Sequence, residues 1–487
     1  MSDINKIGWR FDNTYVNLPE NMVSKQEPVP VKSPKIVILN ENLATELGLN
    51  FVNIDENTLS SLFSGNLLPN GSETISQAYA GHQFGHFTIL GDGRAIILGE
   101  HLNKKNKRFD IQFKGSGKTP YSRNGDGRAA LAPMLREYLI SEAMYHLGIP
   151  TTRSLAVVKT GETVVREKPL TGAILTRVAE SHIRVGTFQY ASISKDEDNL
   201  KTLLNYSIER HYPHIKNSEN PAIEILDIVI EKQIKLVTEW MRVGFIHGVM
   251  NTDNVTISGE TIDYGPCAFM DIYNPETVFS SIDHQGRYAY FNQPLITKWN
   301  LARFAESLIP LINKNKEKAI SIATEKINNF DDKYKFYWFK MMKKKLGLFG
   351  DKPNDEKIIE NLLKWMFVNK ADYTNTFCFL MKENIKDNEV YKNETFLEWQ
   401  KEWHQRLKHN TKNFDESLKM MKEMNPLVIP RNEKVEEALT SASNNEFNKF
   451  NKLLKILSTP YENQNGIVDY QKPSKYIDGK YQTFCGT

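Results

Sequence analysis

The chain has 487 residues, 40% of them hydrophobic and 25% charged, with a formal net charge of +3. That balance is globular rather than disordered, and a charge so close to neutral points away from nucleic acid. No apolar run reaches the roughly 18 residues of a membrane span, and the N-terminus reads as neither a secretory signal nor a transit peptide. Three cysteines, Cys267, Cys378 and Cys485, lie far apart, which excludes a disulfide framework or a Cys-built zinc site and fits a cytoplasmic protein.

Residues 1–90 mix Pro-rich extended sequence with short helical stretches such as ENLATELGL, and are expected to form an N-terminal extension packed on a core. Residues 91–195 read as β-rich. Ala95–Gly99 is an apolar run. Residues 109–114 alternate with period two, placing Phe109, Ile111 and Phe113 on one face and Lys114 on the other. The KKNK stretch between them suits a hairpin turn. A helix is predicted over 129–147, with Leu131, Leu135, Tyr138, Leu139 and Leu147 on one side. Pro133 is tolerable in its first turn, and Gly148 with Pro150 ends it. Residues 196–487 read as mostly helical, with amphipathic segments at 222–243, 299–312, 354–369, 393–409 and 433–457. A loop and a pair of short strands around HGVMNTDNVTISGETIDYGP (247–266) interrupt them. The expected class is α+β, a protein kinase-like two-lobed plan with a β-rich N-lobe and an extended helical C-lobe.

The 247–266 stretch carries the most chemistry. Asn254 and Asp263 supply hard oxygen ligands suited to Mg²⁺, on a pair of strands as in a protein kinase. His247 and Asn254 keep the kinase spacing, but Val249 stands where the catalytic base belongs. Lys114 matches a kinase's phosphate-pairing lysine, with Glu137 on the next helix as its natural partner; an exposed Glu and a strand-end Lys are the plain alternative. KGSGKTP (114–120) imitates a P-loop, but Gln112 stands where the Walker spacing needs Gly. The turn Gly91-Asp92-Gly93-Arg94 lets backbone approach a phosphate, although read alone it is a β-turn. Asp126, followed by Gly127, is a candidate helix cap. Arg177 and Arg184 are placed to clamp a polyphosphate, with surface salt bridges as the alternative for either. His82 and His86 have i,i+4 spacing among glycines, which argues against a metal-binding helix. Asp283, His284 and Arg287 fall where an activation segment would hold a protein substrate.

FDNTY at 11–15, AYAGHQFGHF, LGDGRA, the KGSGKTPYSR and GDGRA run, LTRVAESHIRVGTFQ, HGVMNTDN, DYGP, KLGL and a Cys third from the end occur in order along the whole chain. In these the sequence closely resembles the selenoprotein O (SelO) family of kinase-fold proteins. The resemblance implies transfer of AMP from ATP to Ser, Thr or Tyr hydroxyls of proteins, with release of pyrophosphate. ATP would bind flipped relative to ordinary kinases, with Mg²⁺ as cofactor and Mn²⁺ as a substitute. By the same resemblance Asp253 is the proton acceptor, while Asn254 and Asp263 hold the metal. Gly91, Gly93, Arg94, Lys114, Asp126, Gly127, Arg177, Arg184 and Asp263 contact ATP, and Glu137 positions Lys114. The expected partners are ATP and protein substrates, with no nucleic acid or membrane, and the expected state is a monomer. Some members carry selenocysteine where this chain has Cys485, and pair it with an activation-segment cysteine. Residues 268–295 contain none, so redox control by that route is not expected. An ordinary kinase-type phosphotransferase would use the same Lys, Glu, Asn and Asp. The displaced aspartate also suggests a non-catalytic ATP-binding scaffold.

Overall fold

In a computed structural model, which describes residues 4–194, 197–383, 389–474 and 481–483, short strands from the first ninety residues join a longer meander. The strands are β1 (Val23–Lys25), β2 (Lys35–Leu39), β3 (Ile75–Gln77), β4 (Ala80–Gln83), β5 (His86–Ile89), β6 (Ala95–Leu102), β7 (Arg108–Lys114), β8 (Ala129–Ala130), β9 (Arg153–Val165) and β10 (Pro169–Ala179). All but β4 and β5 form one antiparallel sheet in the order β1-β3-β6-β7-β10-β9-β2, with β8 against β10. Among the described residues β4 and β5 pair only with each other. The expected hairpin is β6–β7, running from Ala95 opposite Lys114 to Leu102 opposite Arg108 with a one-residue register shift between Ile97 and Gly99.

Alternation along β7 sets the two faces of the sheet. Ile111 and Phe113 enter a core with Leu43, Leu62, Phe63, Leu155 and Val158, under the helices α1 (Glu41–Leu47) and α2 (Glu56–Ser64). The opposite face carries Asp110, Gln112 and Lys114, and these too are buried. A buried polar row persists only if each group finds a partner. Those partners come from the next elements, and they build the site.

The helix α3 (Leu131–His146) lies between the sheet and the later helices, packing on β9 and β10 on one side. On the other side it meets the helices Asn432–Ser443 and Asn448–Leu457. Ala129 and Ala130, read from sequence as helical, pair with Ala173 and Gly172 as β8 instead. The following helices are α4 (Val185–Ser192), α5 (Glu197–His211) and α6 (Pro221–Val243). In α6, Asn220 accepts a hydrogen bond from Ile223 N, Pro221 occupies the first turn, and Gly244 closes the end at φ 73°. These are ordinary start and stop signals. Its apolar stripe, including Ile225, Val229, Ile230 and Ile234, is buried, and each such side chain contributes about 1.5–3 kcal/mol.

Two strands of two residues, β11 (Phe245–Ile246) and β12 (Ala268–Phe269), bracket the 247–266 stretch. The strand pair expected inside it does not form. Thr256 bridges to Arg184 and Thr261 to Thr151, so each extended piece finds a neighbour from elsewhere in the chain. The remaining helices are α7 (Gln293–Ile312), α8 (Lys316–Asn328), α9 (Phe330–Lys345), α10 (Asp355–Val368), α11 (Tyr373–Leu380), α12 (Glu394–Lys408), α13 (Phe414–Met424), α14 (Asn432–Ser443), α15 (Asn448–Leu457) and the four-residue α16 (Val468–Gln471). The single segment expected over 433–457 is therefore two helices, broken where Asn445 adopts φ 66°. None of the described helices is long and apolar enough to cross a membrane.

Candidate active site

A cavity of about 740 Å³ opens between the polar face of the sheet, the loops at 90–94 and 121–128, and residues 253, 254 and 263. Gly91, Gly93, Arg94, Lys114, Asp126, Gly127, Arg177, Arg184, Asp253, Asn254 and Asp263 all line it, and Glu137 lies buried behind Lys114. Seven cationic side chains (Arg94, Lys114, Arg123, Arg128, Arg166, Arg177, Arg184) face four aspartates (Asp92, Asp126, Asp253, Asp263). The excess is positive and suits a polyanion.

The polar face of β7 supplies the centre. Lys114 Nζ donates to Glu137 Oε2 at 2.7 Å and pairs with Asp263. Arg177 lies opposite Gln112 in register, donates from Nε to Glu137 Oε1 at 2.7 Å, and reaches Asp263 Oδ1 at 3.2 Å. Two cations and two carboxylates thus interlock with almost no solvent around Lys114, Arg177 and Glu137. Burial works against ionised Glu137, but Arg177 and Lys114 hold it below its usual range. Asp263 resists burial in the same way, held well below the usual range by Lys114, Arg177 and Arg94. Its side chain keeps 28% exposure, the most of the quartet, and lines the cavity beside Lys114 and Arg177. Asp263 also sits at φ 68°, a left-handed conformation that Asp tolerates better than most residues.

Asp253 and Asn254 stand on a single 3-10 turn closed by Asn254 N donating to Asn251 O at 2.9 Å. Asn254 Nδ2 donates to the carbonyl of Val249 at 3.0 Å, which leaves its amide oxygen as the end available to a cation. Burial pushes Asp253 up to about 6, against the lowering pull of Arg184. Arg184 donates to the Asp253 carbonyl at 3.1 Å, lies 4.3 Å from the Tyr79 ring and 3.6 Å from Asp92. His247 is a buried structural group. Its Nδ1 accepts from Val249 N and its Nε2 donates to Ile262 O, which fixes a neutral tautomer.

The glycine-rich loop follows β7. Gly127 has φ 70°, and a Cβ there would overlap the Gly117 carbonyl, so only glycine lets these strands of loop touch. Asp126 is not a helix cap: the residue before α3 is Ala130, and the Asp126 carboxylate accepts from Arg166 at 2.8 and 3.0 Å and from Arg128 N at 2.9 Å. The Arg166 pairing lowers its pKa, so it remains charged at the cavity rim.

Sequence reasoning missed several lining groups: Tyr79, Gln83, Gln112, Tyr121, Arg123 and Arg166. Gln112 was legible as the middle of the polar face of β7. Arg166 lies in no motif, and its role depends on a contact 40 residues back. Asp283 accepts from Arg287 N and Tyr288 N and so organises its own segment, while Arg287 lies 4.9 Å from the Trp299 ring. Cys267 and Cys378 are buried, and burial pushes both thiols up to about 12. Cys485 lies outside the described residues, as do positions 475–480 of the same C-terminal tail. Of that tail, Thr483 is buried, bridges to Ser280 and donates from Oγ1 to Pro266 O at 2.6 Å.

A family model described as Protein adenylyltransferase SelO matches residues 6–458. The chain is 60% identical over 481 residues to a protein nucleotidyltransferase YdiU of Pelagibacter ubique, covering 99% of this chain and 100% of the relative. It is 58% identical to the protein of that name from Nitrosococcus oceani (99% and 98% covered), and 54% identical to that of Clostridium beijerinckii (100% of each). Among solved structures, a Toxoplasma gondii virulence factor with a protein-kinase fold aligns at 9% identity and a TM-score of 0.24, over 68% of this chain and 86% of its own. That likeness is too slight to carry an argument.

Proposed function

Since the chain belongs to the SelO family of protein adenylyltransferases, we propose that its basic cavity holds ATP and delivers AMP to protein hydroxyls through Asp253. The enzyme is a nucleotidyltransferase that transfers AMP from ATP to hydroxyl groups of proteins. The acceptors are taken to be Ser, Thr and Tyr. The observation that carries the site assignment is the interlocked quartet Lys114, Glu137, Arg177 and Asp263, facing Asp253 and Asn254 across one cavity. The Lys114–Glu137 bond supports reading the two as a kinase-type lysine–glutamate pair, and Asp263 and Asn254 as the metal ligands beside it.

The donor set fits Mg²⁺: the Asp263 carboxylate and the Asn254 amide oxygen are hard ligands lining the same cavity. Bound there, the ion would neutralise phosphate charge and polarise the α-phosphoryl group. Lys114, Arg177, Arg184 and Arg94 hold the phosphate oxygens, and the glycines of the 91–93 turn and Gly127 let backbone approach them. Glu137 holds the charged ends of Lys114 and Arg177 from behind, fixing them at the cavity wall where both also meet Asp263. The acceptor hydroxyl oxygen attacks the α-phosphorus, the bond from that phosphorus to the bridging oxygen breaks, and pyrophosphate departs. The hydroxyl proton passes to Asp253, whose pKa of about 6 leaves it ionised yet basic near neutrality.

The kinase reading makes a different prediction about products. Nucleotide analysis during turnover with a protein acceptor should yield pyrophosphate and protein-bound AMP. Stoichiometric ADP in their place would favour phosphoryl transfer.

A further inference from the structure

We propose that Gln83 is a positioning residue for Asp253, and that the β4–β5 hairpin holds the 251–253 loop in place for AMP transfer. The inference rests on the reading of Asp253 given above. AGHQFGHF stood out in the sequence, yet neither of its histidines has a place in the mechanism. The side chain between them does. Gln83 Nε2 donates to Asp253 Oδ1 at 2.9 Å, and Asn251 Nδ2 donates to Gln83 Oε1 at 3.1 Å.

The direction of these bonds is fixed by chemistry. The backbone N–H of Phe84 can only donate, and it donates to Asn251 Oδ1 at 3.1 Å. The Tyr288 hydroxyl donates to the same oxygen at 2.6 Å. Asn251 must therefore turn its NH₂ toward Gln83, so Gln83 offers its oxygen to Asn251 and its NH₂ to Asp253. A flipped Gln83 would set an oxygen against the Asp253 carboxylate. His82 N adds a bond of 2.8 Å to Thr252 Oγ1, so the hairpin grips three consecutive residues of the loop.

The approach is close enough that a Cβ at Gly81 would overlap the Asp253 carboxylate. With Oδ1 held by Gln83, Oδ2 is the oxygen left for the acceptor hydroxyl. A carboxylate on one 3-10 turn has two free side-chain torsions; the Gln83 bond removes that freedom. Loss of such positioning costs about ten- to a hundredfold in rate, the scale of a misplaced reacting group or of a lost hydrogen bond to a charge.

Gln83 lines the cavity as well, so it could act by touching ATP directly. The two roles separate kinetically. Gln83→Met removes the donor at nearly the same size. Gln83→Glu keeps an acceptor for Asn251 but sets a carboxylate against Asp253. With α-labelled ATP, reading label on the chain itself and on casein, both variants should lose about ten- to a hundredfold in kcat, with KM for ATP within about twofold. Melting temperatures report that both are folded. In an Asp253→Ala background, Gln83→Met should cost nothing further, because a residue acting through Asp253 has nothing left to position. Unchanged kcat, a loss confined to KM, or a fully additive double variant would each overturn the proposal. Absence of α-label transfer by the unmodified enzyme would instead remove the reading of Asp253 on which it stands.

Discussion

Replacing Glu137 by Gln tests the quartet at its most buried member. Glu137 is 2% exposed and is shared by Lys114 and Arg177, whose side chains are 6% and 4% exposed. A glutamine keeps one acceptor oxygen, which suits Arg177, but turns an NH₂ toward the Lys114 ammonium. Two buried cations would then have only Asp263 between them. Breaking a buried pair by removing one partner costs about 3–5 kcal/mol. Lys114 also loses the second carboxylate that fixes its ammonium at the cavity wall, and keeps only Asp263. About 3 kcal/mol of lost positioning corresponds to roughly a hundredfold in kcat. The assay is incorporation of α-label from ATP, alongside thermal melting with and without ATP–Mg²⁺. Activity should fall about a hundredfold, melting should drop, and ATP–Mg²⁺ should restore more stability than in the parent, because triphosphate oxygens replace the missing carboxylate. Parental activity and melting in Glu137→Gln would refute the claim that Glu137 organises both cations.

Asp263→Asn should reduce AMP transfer by at least about a hundredfold while the chain stays folded, since it deletes the carboxylate on which Lys114 and Arg177 converge; steady-state labelling with a melting control checks it. Glu260 offers a test away from the cavity. Burial, with Glu180 nearby, pushes its pKa up from 4.5 to about 8, so the native state holds that proton more tightly than the unfolded chain. Stability from this site is therefore full below about 4.5 and falls as pH rises toward 8. Glu260→Gln should melt above the parent at about pH 9 and lose that advantage at about pH 5; a constant difference across the range would contradict the burial argument. Dithiothreitol should leave activity nearly unchanged and Cys485→Ser should remain active, because Cys267 and Cys378 are buried thiols with pKa values near 12. A reductant response lost in Cys485→Ser would reveal a redox latch.

The parts of the structure that were legible in sequence are those governed by local pattern. Period-two alternation marked β7 and put Lys114 on its polar face, and the Pro133 and Gly148 signals bounded α3 to within two residues. The 255–262 segment was misread because extended sequence specifies strand conformation but not its partner. Thr256 and Thr261 bond to Arg184 and Thr151, far away in the chain. β1 and β3, three residues each, are too short to carry a period. The contacts from Gln83 to Asp253 and from Arg166 to Asp126 span 170 and 40 residues, and no spacing rule reaches that far. Family motifs brought Asp253 into consideration; the geometry adds the glutamine that holds it.

The central claim is that the α-phosphate, and not the γ-phosphate, ends on protein. Parallel incubations with ATP labelled at the α or the γ position, using casein and the chain itself as acceptors, decide it directly. Acid-stable α-label should appear on Ser, Thr or Tyr and disappear in Asp263→Asn, with no γ-label retained. Retention of γ-label alone would contradict it and make the enzyme an ordinary phosphotransferase.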